Sequence, residues 1–418
     1  MNFQKNWAGN LQYSSKKIIQ PESVEQIKEI VKNSKRVKTL GSRHCFNGIA
    51  DCDETHLSLA KMNKILAIDE TAMTVTIEGG AKYSDFCIEL NEADFAISNL
   101  ASLANISVVG ACATATHGSG VNNQSLASAV CEIEFVDGRG ELVTLNRQRN
   151  AEKFNGAIVN LGAIGIVTKL KLDIEKSYQV RQDLFENLSF EQLAENFDEI
   201  ASSGYSVSLF TAFQNRNIRV VNVKRRVEEN TTDLPKEFFG GTSAYESINA
   251  RGITDTNRSP QMGKAANWYE CLPHFKFSQE LVQASEIQSE YYVERKNAVW
   301  AILALEKIAD VISQQIITAE IRSIKADNYW LSPFHRGDSV GIHFSWKINE
   351  PEVMKILREI EKALAPFEPI PHWGKLFTIP REELHSRYPK MQDFINLCNE
   401  FDPQGKFRNS YLNQYIFN

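Results

Sequence analysis

Two periodicities alternate over the first third of the chain. In PESVEQIKEIVKNS the apolar residues Val24, Ile27, Ile30 and Val31 recur at helical spacing, which predicts an amphipathic helix opened by Pro21. A short run from Val37 to Leu40 reads as a strand feeding the loop GSRHCFNG. From Met73 to Ile77 apolar and polar residues alternate as in a half-buried strand, and Gly79 and Gly80 end it. AKYSDFCIELNEADFAI predicts a second helix. CEIEFVDGRGELVTL predicts a hairpin turned by Asp137-Gly138, and LGAIGIVTKLKLDI a Gly-punctuated stretch that becomes strand.

Beyond residue 176 the texture changes. Helical patterns at Glu191–Ile200 and Ala298–Gln314 mix with the strand-like runs VSLFTAF and IRVVNVKRR. Residues 226–262 are polar, with scattered Gly, Pro, Asn and Thr, and predict a long excursion on the second unit. A length of 418 residues suits two or three domains, and the mixture of elements predicts an α+β fold. The segments divide into residues 10–176, residues 177–365 and a C-terminal segment, 366–418.

Composition narrows the partners. With 43% hydrophobic and 23% charged residues the chain has the makings of a packed core, which excludes a disordered protein. The net charge is 46 − 52 = −6 and the sequence pI near 5.9, the wrong sign for a nucleic-acid binder. The N-terminal segment MNFQKNWAGNLQYSSKK has no apolar signal stretch, and no window is apolar over a membrane-spanning length, so a soluble cytoplasmic protein without membrane contact is expected. Seven cysteines, none in a CxxC pair, argue for a reducing compartment and against a thiolate metal site. A monomer is the default expectation.

Two loops carry candidate chemistry. In LGSRHCFNG a glycine admits close backbone approach, and Ser42 with successive N–H groups can cradle a phosphate. The run ASLANISVVGACATATHGSG is too rich in small residues to be a good core helix and suits backbone laid against a flat or pyrophosphate-containing ligand. No GxGxxG motif follows a first strand, which excludes a Rossmann dinucleotide site. In the second half, TAEIRSI places Glu320 and Arg322 on one face of a strand, GIHFSW does the same for His343 and Ser345, and PHWGKLF adds Lys375. Singly, a Glu-x-Arg pair reads as a surface salt bridge and His343 as a sheet histidine.

LGSRHCFN, then NLASLANISVVGACATATHGSG, then LGAIGIVTKLKL resemble the PCMH-type FAD-binding domain of the vanillyl-alcohol oxidase flavoproteins, and within that superfamily the alditol oxidases that act on xylitol and sorbitol. The resemblance runs from NWAGN to FDPQGKF. It implies two domains: an FAD-binding domain over 10–176, and a substrate or cap domain over 177–365 with a sheet flanked by helices. The segment 366–418 would return to the flavin domain and the active site. It implies FAD bound covalently through His44, with Gly41, Ser42, Arg43, His44 and Cys45 on one side. Ser102, Ser107, Gly110, Thr114, Ala115, Thr116 and His117 would line the other, with Ile166 at the adenine end. His117 is expected to act through its backbone, and Ala101 to leave room for oxygen over the flavin edge. The family pattern GSGHSFN is broken here at Arg43 and Cys45.

By the same resemblance Ser102, Glu320, Arg322, Ser345 and Lys375 bind a polyol. The reaction would be oxidation of a terminal primary alcohol to the aldose, a hydride passing to flavin N5 and O2 becoming H2O2. Arg322, Lys375 and His343 are the catalytic candidates, the base being His343 or a coupled Arg322/Lys375 pair. The alternatives are a sugar-1,4-lactone oxidase or dehydrogenase of the same superfamily, and a non-catalytic flavin-binding protein.

Overall fold

The alternating runs of the first third pair into sheets. Lys17–Ile19, Thr55–Leu57 and Val37–Thr39 form a small parallel sheet with Thr55–Leu57 in the middle. Ile65–Asp69, Thr74–Glu78, Ile166–Asp173, Val130–Val136 and Leu142–Asn146 form, in that order, an antiparallel sheet. The computed structural model describes residues 5–255, 257–277 and 286–417.

Local chemistry moves several boundaries. The first helix spans Val24–Asn33 and is opened by Ser23, whose side chain accepts from the Gln26 N–H; Pro21 lies outside it. Ile27 and Val31 pack with Val37, Leu57, Val136, Ile166 and Phe407. In the hairpin the Asp137 carboxylate accepts from the N–H groups of Arg139 and Glu141, and Gly140, at φ +78°, takes the left-handed position expected of Gly138. Gly138 is small for another reason: a Cβ there would stand 2.5 Å from Asp402 Oδ1. Within the small-residue run Val108–Ala113 is a short helix after all, begun by Ala111 N–H bonding to the Ser107 carbonyl. The segment expected as one helix over Ala298–Gln314 is two, Ala298–Glu306 and Ala309–Ile312; a tightened Ile308-to-Leu305 bond closes the first.

The second half is dominated by one large antiparallel sheet. Its central strands, in order, are Gln179–Ser189, Asn217–Arg226, Ser206–Thr211, Ile316–Ile324, Ser339–Lys347 and Glu286–Glu294. The 226–262 excursion adds Glu237–Phe238 and Gly241–Ser243 at one edge, and Ile370–Pro371 closes the other. Alternation gives the sheet two unlike faces. Leu209, Val221, Ile321, Ile342 and Phe344 point to the apolar face, where the helices Phe190–Ser202, Ala298–Glu306 and Glu350–Leu364 pack. On the opposite face Phe210, Glu320, His343 and Glu290 stand side by side in register on four strands. That face is buried too, although most of it is polar.

The C-terminal stretch crosses back to the first third. Lys406 Nζ donates to the Val31 carbonyl at 2.7 Å. Asn409 Nδ2 meets the carbonyls of Gly48, Ile49 and Asp51 at 3.0, 3.1 and 2.8 Å, while its Oδ1 accepts from the Leu412 N–H. Asn409→Ala strips the Ile49 and Asp51 carbonyls of this donor, while Gly48 keeps the Asp51 N–H, and is expected to lower stability by about 2–3 kcal/mol, read as a lower urea midpoint at unchanged m.

Candidate active site

A cavity of about 730 Å³ runs between the first-third loops and the polar face of the large sheet. Gly41, Ser42, Arg43, His44 and Cys45 line it, as do Ser102, Ser107, Gly110, Thr114, Thr116 and His117. The two loops are joined where Ser42 Oγ accepts from the Ser107 N–H at 3.0 Å. They approach so closely that a Cβ on Gly41 or on Gly110 would lie 2.6 Å from Ser107 Oγ. Arg43 takes a left-handed conformation, φ 64°.

Three expected cofactor contacts differ. Ala115 is fully buried and absent from the cavity wall. The Ile166 side chain turns into the cluster around Val31 and Phe407, and its neighbours Gly165 and Val167 form the wall instead. The strand places alternate residues on opposite faces, so Val167 inward means Ile166 outward. His117 lines the cavity, but its side chain is engaged as well as its backbone, with Nε2 3.2 Å from Glu290 Oε1 and 3.1 Å from the Tyr292 hydroxyl.

The residues fit a bound flavin. His44 lines the cavity beneath the Trp7 ring, at 4.8 Å between centroids, with both ring nitrogens shielded from solvent. Burial, with Arg43 and Lys82 nearby, depresses its pKa to about 3, so the ring is neutral. A neutral imidazole keeps one ring lone pair, the group that a covalent flavin link would use. Gly41 and Gly110, packed on Ser107, bring main chain to the cavity wall, the lining that a phosphate-bearing group would need.

Across the cavity stands a carboxylate absent from the sequence reading. Glu290 is 1% exposed and receives Lys375 Nζ at 2.6 Å and Arg322 Nη2 at 2.9 Å. Burial alone would raise its pKa, but Lys375, Arg322 and His117 overcome this and hold it well below the usual carboxylate range. Lys375 Nζ also lies 2.7 Å from His343 Nδ1. Ser345 donates to Glu286 at 3.0 Å, so its oxygen accepts from His343 Nε2 at 3.2 Å. Neutral His343 thus carries its proton on Nε2 and offers Nδ1 to Lys375. Burial lowers the pKa of both, and for Lys375 this outweighs the opposing pull of Glu290.

Glu320 pairs with His274 Nε2 at 2.8 Å and with Arg322 Nε at 3.6 Å. Burial opposes its charge, yet Arg322 and His274 keep it ionised. His372, also in the wall, accepts the Gly374 N–H on Nδ1 at 3.0 Å. Ser102, Glu320, Arg322, His343, Ser345 and Lys375 therefore share one cavity. Glu290 was legible in the alternation EIQSEYYVE, where Gln288 and Glu290 fall on one strand face; His274 has no such signal.

The comparisons fit this construction. An FAD binding domain family matches residues 15–146, and a D-arabinono-1,4-lactone oxidase family matches residues 271–415. Cholesterol oxidase from B. sterolicum shares the fold with a TM-score of 0.80 at 13% identity, covering 99% of this chain and 96% of that one. Fold and cavity define an FAD-dependent oxidoreductase of α+β, two-domain architecture with a PCMH-type FAD-binding fold. The alditol oxidase of a Streptomyces species is 37% identical over 98% of both chains, and mouse L-gulonolactone oxidase 22% identical over 99% of this chain and 98% of its own. The chain belongs to the alditol oxidase family of the vanillyl-alcohol oxidase flavoproteins. Among the described residues no helix is long and apolar enough to cross a membrane.

Glu290→Leu would leave Arg322 and Lys375 buried without their shared counter-charge. The expected loss is about 3–5 kcal/mol, measured as a lower urea midpoint, with Glu290→Gln falling between.

Proposed function

We propose that this enzyme oxidises the terminal primary alcohol of an open-chain polyol such as xylitol or sorbitol to the aldehyde, the open-chain aldose, while O2 is reduced to H2O2. The observation that carries this reading is the set of Glu320, Arg322, His343 and Lys375 on one buried cavity wall, tied together by Glu290. A polyol entering that space loses water from several hydroxyls, each of which then needs a partner. Glu320 accepts, Arg322 and Lys375 donate, and Ser102 and Ser345 do either.

Bound FAD supplies the hydride acceptor and its reoxidation by oxygen. His44 would hold it covalently through a ring nitrogen on the 8α-methyl carbon. Gly41, Ser42, Arg43, Cys45, Ser107, Gly110, Thr114, Thr116 and His117 would form its walls, with Gly165 and Val167 taking the place expected of Ile166. Arg322 and Lys375 stabilise negative charge on the reacting oxygen. The hydroxyl proton leaves through the Lys375–His343 pair: Lys375 passes a proton to Nδ1 across their 2.7 Å contact, and the resulting amine takes the substrate's proton. The domain limits 10–176 and 177–365, with 366–418 returning to the site, remain our division of the chain.

A lactone reading draws on the match of residues 271–415 to the D-arabinono-1,4-lactone oxidase family. Peroxide release with xylitol, sorbitol and L-gulono-1,4-lactone separates the two. Polyol-dependent release is expected; release with the lactone alone overturns the proposal, and a flavin that no polyol bleaches anaerobically identifies a non-catalytic binder. Acid precipitation is expected to give a yellow pellet, with the colour moving to the supernatant in His44→Ala; a colourless wild-type pellet rejects the covalent link.

The pH profile tests the proton path. Because Glu290 raises the Lys375 pKa against burial, Glu290→Gln lowers it further. Since Lys375 starts the step protonated, its titration sets the alkaline limb of kcat/KM, which is expected to move to lower pH in Glu290→Gln; an unmoved limb removes Lys375 from the step.

A further inference from the structure

His274 touches both sides of the site although no motif announces it. Its main-chain N–H donates to the Ser102 carbonyl at 3.1 Å, holding the loop that carries Ser102. Its ring stands edge-on to Phe210, 5.5 Å between centroids. Lys224 rises beside it from the Asn217–Arg226 strand: Nζ donates to the carbonyls of Leu272 and Pro273 and lies 3.4 Å from His274 Nδ1. An ammonium has three protons and no lone pair, so these acceptors occupy it and Nδ1 must be the accepting nitrogen. Nε2 then carries the ring proton and donates it to Glu320 Oε1 at 2.8 Å. Burial is the largest effect and, helped by Lys224 and Arg322, overcomes the opposing pull of Glu320 and brings the ring's pKa to about 4, so it stays neutral near neutrality.

Glu320 has little else to hold it. Among the described residues its other close approach is Arg322 Nε at 3.6 Å, a nitrogen without a hydrogen-bond partner. We propose that His274 is a positioning residue for substrate recognition: its Nε2–H orients the Glu320 carboxylate, its main chain fixes the Ser102 loop, and Lys224 sets its tautomer. This rests on Glu320 being a polyol-binding group. With Oε1 committed to His274, Oε2 is the oxygen presented to a substrate hydroxyl. A fixed acceptor favours one configuration at the carbon bearing that hydroxyl, so the pair selects among open-chain polyols.

The test is steady-state kinetics of the flavin-loaded enzyme with xylitol and with sorbitol, Glu320→Ala being measured in parallel. His274→Phe keeps the ring shape without the donor, and KM is expected to rise roughly tenfold with kcat and flavin content little changed, the loss of one hydrogen bond to a charged group. His274→Gln, whose amide N–H can reach the same oxygen, is expected to recover most of that rise. If Glu320→Ala raises KM and His274→Phe does not, the role of His274 is overturned alone. If Glu320→Ala leaves KM unchanged, the polyol reading of Glu320 fails and this proposal with it. Failure of His274→Gln to recover KM assigns a merely structural role and also overturns it. Should His274→Phe not fold, Lys224→Met keeps the ring but frees its tautomer; about a threefold rise in KM is expected, and an unchanged KM overturns the proposal.

Discussion

A single buried carboxylate, Glu290, accepts from both Arg322 and Lys375, and the rest of the site is arranged around that attraction. Two cations brought out of water so close together would repel each other and lose their hydration. One carboxylate between them offsets both penalties and fixes where their remaining N–H groups point. The compensation is local: Arg322 and Lys375 are balanced by the ionised Glu290 and Glu320, so the cavity presents directed donors without a net field that would attract polyanions from solution. A neutral polyol needs no steering across solvent; it needs partners after its hydroxyls are stripped of water.

Burying a polar sheet face demands a cover that also satisfies it. The opposite face is closed conventionally, by helices over Leu209, Val221, Ile342 and Phe344. On the polar face the flavin loops and the crossing segments provide the cover. Asn47, just past His44, donates to the carbonyls of Trp373 and Lys375 at 2.9 and 2.8 Å, and the Phe46 N–H reaches the Gly374 carbonyl at 2.8 Å. The loop that lines the cofactor cradle therefore also positions the lysine opposite it.

Elements written in local patterns were legible in the sequence: the Val24–Asn33 helix, the Thr74–Glu78 strand, the Val130–Asn146 hairpin and the pairs Glu320/Arg322 and His343/Ser345. Each depends on residues two to four apart. The misses have different causes. Pro21 competed with Ser23 as the helix opener, and Ser23 prevailed because its oxygen reaches the Gln26 N–H. Ile166 was assigned with its loop, but strand alternation sends its side chain to the opposite cluster. His274 was invisible because its partners, Lys224, Glu320 and Ser102, are at least 46 residues away, brought together by the large sheet and the Ser102 loop.

The same long reach makes the site a consequence of assembly. Gly120 pairs with Ile324 through its N–H to the Ser323 carbonyl, so the small-residue run grips the end of the Glu320 strand. With Asn47 on the Lys375 turn and His274 on the Ser102 loop, three separate bonds couple the cofactor side to the substrate side. Each is made by backbone or by a short amide, groups with little conformational freedom to lose. Had long flexible side chains bridged the halves, the catalytic groups would be held through several free torsions, and ordering them would cost more. Rigid local connectors let Glu290, Glu320 and Lys375 keep their alignment along the cavity wall that faces the glycine-rich loops.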